Sequence, residues 1–560
     1  MKRLIIVYTM FCATLLVAQD KKEPPPKEID LQQPTEAKKT DTPLPKIDLP
    51  EFVITGTEKI NLDLKSKAEE DENRVYVPGK PEPGVRNLVA EGGLSPKQTK
   101  LYSPTPAALN GKIFTGMGFY LTPQVDGWFG QHDRENSYIM NGFYSSSDGH
   151  VKNADWWHGG FGAKGKYIVP DTAGFLPYAQ LSGAVDYKRE SYHAYGSLAP
   201  LRKRDLSNLD VSFGIGSRYA LPYRSISGVD YTGTIGFSSF GATDLGQSTE
   251  SSVYLQGNAT TRFFGSSFHG LLEYRTTAYT MGLPGLQSGQ WLVLRANGMS
   301  LLSQSLQLSY ALQQFLYRGA IGVTSGRLYP QLELRYFLTE STTFYAGFAP
   351  TVERRSLSSI IDQNRYIDFN SYVQPGDVSS AFEAGFEFAP ADEFTVKAQA
   401  LYRNINEFAT FLDTSGAKVW EVTYLSGVHS LQTDISVLCR LNARQNITAY
   451  ARYRSAKQKD STGVLPYIPS ISVGTVYNQF FDFGLHLEAV AEYVSSRYTN
   501  FERTRSTAGY VYTSVKADIG LFQHFRGYAE LQNALNQQYY IWDGYRERTI
   551  YLMLGVSYNW

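Results

Sequence analysis

The feature that most constrains the fold is a strict two-residue alternation of apolar and polar side chains along the C-terminal half of the chain. Successive side chains of a β-strand point to opposite faces, so residues two apart share a face. The last segment shows this most clearly, because one face would carry Ile550, Leu552, Leu554, Val556, Tyr558 and Trp560. The same period recurs over residues 394–402, 447–453, 485–493 and 511–521. The pattern predicts a series of antiparallel strands with one apolar face.

A soluble β-sandwich would also alternate, with its charged face in water. Two features favour a transmembrane barrel of the outer membrane of a Gram-negative bacterium. Aromatic residues repeatedly end the apolar face, as interfacial girdles require. Connections also alternate in length, as in outer-membrane barrels. The tight ones are Ala389 to Glu393, Leu338 to Ser341, Asn442 to Asn446 and Leu521 to Phe525, and the long ones are Val352 to Asp377, Asn404 to Lys418, Ala456 to Leu465 and Asn533 to Glu547.

The number of alternating segments predicts the size of the barrel. We count roughly 12 strands after Ser303 and roughly 10 before it, which gives about 22, an even number as such barrels have. The barrel would occupy residues 112–560. The fold class is therefore all-β, an antiparallel outer-membrane barrel.

Composition excludes several other classes. A helical membrane protein needs several runs of about 20 apolar residues, and the sequence has none beyond its extreme N-terminus. Lys+Arg and Asp+Glu balance at 53 each, so charge gives no reason to expect a nucleic-acid partner. The spacing of His and Cys predicts no metal site, and we expect no cofactor and no enzymatic activity.

The N-terminal region divides into three segments. Residues 1–18 have a basic start, an apolar run from Leu4 to Val17 and a small residue before the expected cut, which predicts a cleaved signal peptide. Residues 19–50 hold seven prolines, six lysines and seven acids without an aromatic, which predicts a disordered periplasmic tether. Residues 51–111 hold a short β-prone run and a polar stretch that could be a plug remnant.

The β-prone run is Phe52, Val53, Ile54, Thr55 and Gly56. A short segment of this kind on a tether can add as a strand to the sheet edge of a periplasmic partner. The alternative is that a few β-prone residues occur by chance in a linker.

Six charged residues are predicted to point inward from the alternating strands. They are Lys397, Arg403, Arg452, Arg454, Glu488 and Glu492. Such residues could line a passage for a ligand, although wide barrels also carry them simply to hydrate the interior.

Three segments of the chain resemble the TonB-dependent receptors. Leu465 to Pro469 resembles the penultimate region of that family's barrel, and Glu530 to Tyr539 resembles its frequent x-N-L-F-N-x-x-Y segment. Pro50 to Thr57 resembles the TonB box. The resemblance implies a barrel that moves or captures a substrate at the outer membrane, with TonB as a partner. It also implies that Tyr558 and Trp560 form the C-terminal signal read by the barrel-assembly machinery during insertion into membrane lipid.

One part of that family's architecture is missing from the sequence. The family places a plug of domain size, commonly about 100–150 residues, between box and barrel. Residues 57–111 are too few, too polar and too poor in aromatics for such a plug. A barrel of about 22 strands is too wide for wall side chains to fill, so residues 57–111, inward loops such as Val352 to Asp377, or a separate plug or lid chain must close it. A structural or interaction barrel and a passive diffusion channel remain alternatives to energised transport.

Overall fold

The computed structural model describes residues 110–133, 135–170, 179–217, 229–263, 266–280, 288–459 and 464–560. The predicted signal peptide, tether and box-like segment lie outside these ranges. The described residues form strands almost throughout, as the alternation predicts. The strands and the helix are β1 Gly111–Gly118, β2 Thr122–His132, β3 Asn136–Ser147, β4 Trp156–Ile168, β5 Ala179–His193, β6 Lys203–Ser217, β7 Val229–Thr243, β8 Gln247–Phe263, β9 Ser266–Thr280, β10 Gly289–Ser303, β11 Leu306–Arg318, β12 Thr324–Thr339, β13 Thr342–Phe348, β14 Thr351–Glu353, α1 Leu357–Gln363, β15 Gly376–Ala391, β16 Phe394–Asn406, β17 Phe408–Leu412, β18 Glu421–Leu425, β19 Val428–Asn442, β20 Gln445–Gln458, β21 Ile471–Phe480, β22 Leu485–Val494, β23 Arg497–Tyr498, β24 Ser506–Thr507, β25 Tyr510–Gly520, β26 Phe525–Gln532, β27 Tyr540–Trp542, β28 Tyr545–Arg546 and β29 Tyr551–Asn559.

The wall is a closed antiparallel sheet of 22 strands. The last strand, β29, pairs with the first, with Lys112 opposite Asn559 and Gly118 opposite Met553. The short strand β14 pairs with β15 beyond the end of β13, so β13 and β14 share one position in the wall. Closure leaves no free sheet edge, which a membrane-spanning sheet requires. The predicted fold class is confirmed, as is the division into ten strands up to Ser303 and twelve after it.

The two faces of the wall differ in chemistry. On β12, Leu328, Leu332 and Leu334 are exposed at 57%, 52% and 43%, and Glu333 and Arg335 alternate with them on the half-buried face. The exposed apolar side chains form the outer surface of the closed sheet, where lipid replaces water, and the polar side chains face the lumen. The C-terminal strand follows the predicted faces, since Leu554, Val556 and Tyr558 are exposed and Met553 is buried.

The two ends of the barrel differ in the length of their connections. At one end, here called the short-turn end, the connections after β12, β15, β19 and β25 span four residues or fewer. At the other, the long-loop end, the connections after β14, β16, β20, β22 and β26 are much longer. Both predicted sets of connections are confirmed. The first strand begins and the last strand ends at the short-turn end, where the amides of Asn110 and Gly111 donate to the carbonyl oxygen of Trp560 at 2.6 and 3.2 Å.

Four of the long loops contain secondary structure of their own, and the one after β22 holds the pair β23–β24. The loop after β14 holds α1, whose N-cap Ser356 accepts a hydrogen bond from the amide of Ser359 at 3.1 Å. Ser356 and Ser359 complete a reciprocal capping box, and Leu357, Ile360 and Ile361 of the helix are buried. The loop after β16 forms the hairpin β17–β18, and the loop after β26 forms β27–β28. No helix among the described residues is both long enough and apolar enough to cross a membrane.

Candidate functional site

The inner face of the wall carries ion pairs between neighbouring strands. Lys397 Nζ lies 3.4 Å from Glu387 Oε1, across β16 and β15. Arg452 Nε lies 2.5 Å from Asp434 Oδ1, across β20 and β19. Lys516 Nζ lies 2.8 Å from Glu488 Oε1, across β25 and β22. Three of the sequence-predicted lumen residues thus have an opposite charge on an adjacent strand.

The remaining predicted lumen residues have the following environments. Arg403 Nη1 lies 3.2 Å from Glu353 Oε1, at the root of the loop that holds α1. Arg454 stands two positions from Arg452 on the same face of β20, and Glu492 forms a side-chain hydrogen bond with Tyr450. The six residues lie on β16, β20 and β22. Arg454 interacts electrostatically with Arg452, Arg403 and Glu492, whereas Lys397 and Glu488 pair with residues of the adjacent strands.

Asp434 was missed by sequence reasoning and contacts three polar side chains of this surface. Besides Arg452 it accepts hydrogen bonds from Gln432 Nε2 at 2.6 Å and Gln399 Nε2 at 3.4 Å. The register that sets Asp434 opposite Arg452 is a property of strand pairing. A weaker indication was present in the sequence: Asp434 lies two positions from Gln432 and therefore on the same inward face of its strand.

The long-loop end is crossed by a structure that we call the cap. It consists of loop A (residues 354–375, with α1), loop B (residues 407–427, with β17 and β18) and loop C (residues 533–550, with β27 and β28). These loops and the inner wall share one apolar core. Its buried members are Leu357, Ile360, Ile361, Tyr366, Ile367, Phe369 and Val373 from loop A, Trp420 and Val422 from loop B, Tyr545 from loop C, and Tyr192, Leu206, Phe240 and Ala242 from β5, β6 and β7.

Aromatic stacking and backbone hydrogen bonds join the three loops. The rings of Tyr366 and Tyr545 stack with their centroids 3.5 Å apart, and Trp420 lies 5.7 Å from Tyr545. The amide of Asp368 donates to the carbonyl of Trp420 at 2.8 Å, and the amide of Trp420 donates to the carbonyl of Tyr366 at 3.2 Å. Lys418 of loop B forms an ion pair with Asp543 of loop C. The cap is therefore one packed unit, and it shares its apolar core with β5, β6 and β7.

Loop A reaches a distant part of the wall. It leaves the wall at β14 and returns at β15, yet its backbone is bound by residues of β5, β6 and β8, which we call the clasp: Tyr192, Arg204 and Glu250. Arg204 Nη1 donates to the carbonyls of Arg365 and Ile367 at 3.1 and 2.8 Å. Because β14 and β15 are several strands from β5–β8 in the closed wall, loop A spans part of the barrel mouth.

The other two clasp residues also bind the backbone of loop A. The hydroxyl of Tyr192 donates to the carbonyl of Arg365 at 2.5 Å. The amide of Leu357, at the start of α1, donates to Glu250 Oε2 at 2.5 Å. A carboxylate suits this position because the first amides of a helix have no partner within the helix.

Charged groups in the cap and on the wall beneath it are buried. The Arg204 side chain is 0% exposed, and its guanidinium lies 3.6 Å from Asp244 and 4.5 Å from the ring of Phe369. Burial raises the pKa of Glu547 in loop C above its usual range, although Arg548, Arg365 and Arg497 act in the opposite direction. Burial likewise raises the pKa of the Tyr366 phenol.

Sequence reasoning identified the loop from Val352 to Asp377 as one candidate for constricting the lumen, but it did not identify the cap residues. A signal was present in the composition of the long loops. Solvated loops seldom carry several large apolar residues, whereas loop A includes Ile360, Ile361 and Phe369, and loop B includes Trp420.

Comparisons with known proteins concern the barrel. No protein-family model matches the chain, and no curated protein matches it in sequence. Many solved structures share its fold. The ferric-catecholate import receptor Fiu of Escherichia coli K12 aligns with a TM-score of 0.61 and 12% identity, over 81% of this chain and 82% of that one.

Two further structures give the same result. The siderophore receptor PirA of Acinetobacter baumannii aligns with a TM-score of 0.64 and 9% identity over 80% of each chain. A mutant of the ferric enterobactin receptor PfeA of Pseudomonas aeruginosa aligns with a TM-score of 0.63 and 10% identity over 80% of each chain. At such identities the likeness concerns the fold. The predicted resemblance to TonB-dependent receptors is confirmed at that level, and the barrel fits an outer-membrane protein.

Proposed function

We propose that this chain is an outer-membrane uptake receptor that admits a substrate through the lumen of its barrel. The observation that carries the proposal is a closed barrel of 22 strands whose mouth is crossed by its own packed loops. A barrel of this width has room for a passage, and a cap held by buried contacts suits gated entry better than free diffusion.

The N-terminal segments complete the proposal. Residues 1–18 would direct export and be cleaved, and residues 19–50 would extend into the periplasm from the short-turn end, where β1 begins. The box-like segment Phe52 to Gly56 would pair with TonB by strand addition. The long loops would then face the outside of the cell. Tyr558 and Trp560, on the strand that closes the barrel, would serve as the insertion signal for the assembly machinery.

The substrate is proposed from the neighbours of the barrel. The structures described above are receptors for ferric-catecholate, siderophores and ferric enterobactin by their names. Ferric siderophores are therefore the first ligands to test. Lys397, Arg403, Arg452, Arg454, Glu488 and Glu492 would line the route beneath the cap.

A second candidate is a structural or interaction barrel that anchors a partner without passing a substrate. The specific observation in its favour is the pairing of lumenal charges, since Lys397, Arg452 and Glu488 already have opposite charges beside them. Groups neutralised in this way present less charge to a ligand. This candidate predicts a second chain that co-purifies in a fixed ratio.

Uptake of radiolabelled iron from a panel of ferric siderophores tests the first proposal. Cells carrying the full chain are compared with cells carrying a deletion of residues 52–56, and a deletion of residues 40–44 in the tether is the matched control. We expect uptake with the full chain and the control, and none with the box deletion. A purified TonB C-terminal domain should also bind a peptide of residues 46–60. Absence of uptake for every ligand, together with a co-purifying chain, would favour the second candidate.

A further inference from the structure

We propose that the cap opens as one body, by release of loop A from the clasp on β5, β6 and β8, while the contacts among loops A, B and C persist. The proposal rests on the proposed function, because it concerns how the passage through the lumen is regulated. It specifies where the cap breaks away and where it stays attached.

The first argument is the distribution of contacts within the cap. Trp420 and Tyr545 are each 0% exposed and lie at the junction of the three loops. Paired backbone hydrogen bonds between Trp420 and the segment Tyr366–Asp368 join loops A and B, and the hydroxyl of Tyr545 donates to the carbonyl of Lys418 at 3.0 Å, joining loops C and B. Separating the loops would expose large aromatic surfaces and break these bonds together.

The second argument is the position of the loop roots. Loops A and B leave the wall close to each other, and Arg355 Nη1 donates to the carbonyl of Glu407 at 2.5 Å, joining one root to the other. Arg403 on the wall pairs with Glu353 immediately before loop A. These contacts hold the attached side of the cap, so a hinge at the roots of loops A and B leaves them intact.

The third argument is that the polar contacts of loop A with the far wall lie on one sector of the barrel. The clasp occupies β5, β6 and β8. Loop C adds His150 Nε2, 2.6 Å from the carbonyl of Arg546, and loop B accepts from the amide of Leu198 at 3.1 Å. Both contacts come from connections adjoining β4 and β5. A single movement away from this sector therefore breaks these contacts, whereas the bonds of Tyr120 to Thr549 and Ile550 and of Val511 to Gln537 lie beside the root of loop C.

Thiol labelling measures release of the cap from the wall. Ala242 of β7 is 0% exposed beneath the cap, so Ala242→Cys in a Cys439→Ser background reports opening by its reaction with a maleimide. Arg204→Met and Glu250→Ala should each raise the labelling rate by about tenfold or more, as expected when a buried hydrogen bond to a charged group is lost. Glu250→Gln keeps an oxygen that accepts from Leu357 and should restore slow labelling. Lys203→Met is the matched control, because its side chain is 58% exposed on the same strand as Arg204.

Hydrogen exchange of the same full-length protein distinguishes one-body opening from disassembly. In Arg204→Met, the amide of Leu357 should lose protection, whereas the amides of Asp368 and Trp420 should keep theirs. Equal loss at all three amides would overturn the proposal, as would unchanged labelling in both Arg204→Met and Glu250→Ala. Neither measurement depends on transport, so a cap that opens as described in a protein without uptake activity would refute the proposed function alone.

Discussion

Replacing Trp420 with alanine tests whether the packing among the three loops can loosen while the barrel wall stays intact. The side chain is fully buried among loops A, B and C and has no contact with lipid. Truncating a buried tryptophan to alanine costs about 3–5 kcal/mol, because the transfer free energy is lost and a cavity remains. At about 1.4 kcal/mol per factor of ten, the population of opened cap should rise about 100- to 4,000-fold.

Hydrogen exchange detected by mass spectrometry is the assay. The amides of Asp368 and residue 420 bond across loops A and B, so their protection reports the cap directly. Both should exchange faster by the factor above, while the amides of β5–β8 keep their protection, since the wall is held by its own ladder. Trp157→Ala is the matched control, because this tryptophan lies on β4 beside Arg189 and away from the cap core.

Two results would refute the reasoning. A loss of protection below about tenfold would mean that Trp420 is not central to the cap, since even a partial cavity costs more. An equal loss in the cap and in β5–β8 would mean that the cap and the wall unfold together.

Three further predictions follow from the site. Burial raises the pKa of Glu547, so the closed cap favours the protonated form of this side chain. The protection of the cap amides should therefore be fullest near and below the ordinary pKa of 4.5 and should fall as pH rises through the raised value. Hydrogen exchange measured against pH should show this fall in protection, and Glu547→Gln should abolish it. Asp434→Asn removes the acid beside Arg452, so the reversal potential of an opened Arg204→Met channel in a salt gradient should shift toward anion selectivity, whereas Asp482→Asn in an exposed turn should leave it unchanged. Deleting Trp560 removes the carbonyl that accepts hydrogen bonds from Asn110 and Gly111 where β1 meets β29. Heat-modifiable mobility on gels, the mark of a closed barrel, should then be lost. Retention of this mobility would contradict a role for Trp560 in closure.

The wall could be predicted from local patterns in the sequence. Side-chain period in a strand is a local property, so the faces of β29 and of β16 follow from which residues lie two apart. The lengths of the connections are equally local, and they correctly distinguish the turn at Leu338 to Ser341 from the loop at Val352 to Asp377. Repetition of these two signals gave the number of strands, because each connection joins two consecutive antiparallel strands.

What lies inside the wall depends on contacts between distant parts of the chain. Asp434 meets Arg452 because of strand register, and Arg204 meets the carbonyls of Arg365 and Ile367 although about 160 residues separate them. Alternation fixes that Arg204 faces inward, but it carries no information about which loop will arrive there. The cap depends on apolar side chains from three loops packing together, and hydrophobic contact is non-directional, so its partners are selected by the closed shape of the barrel and not by local sequence.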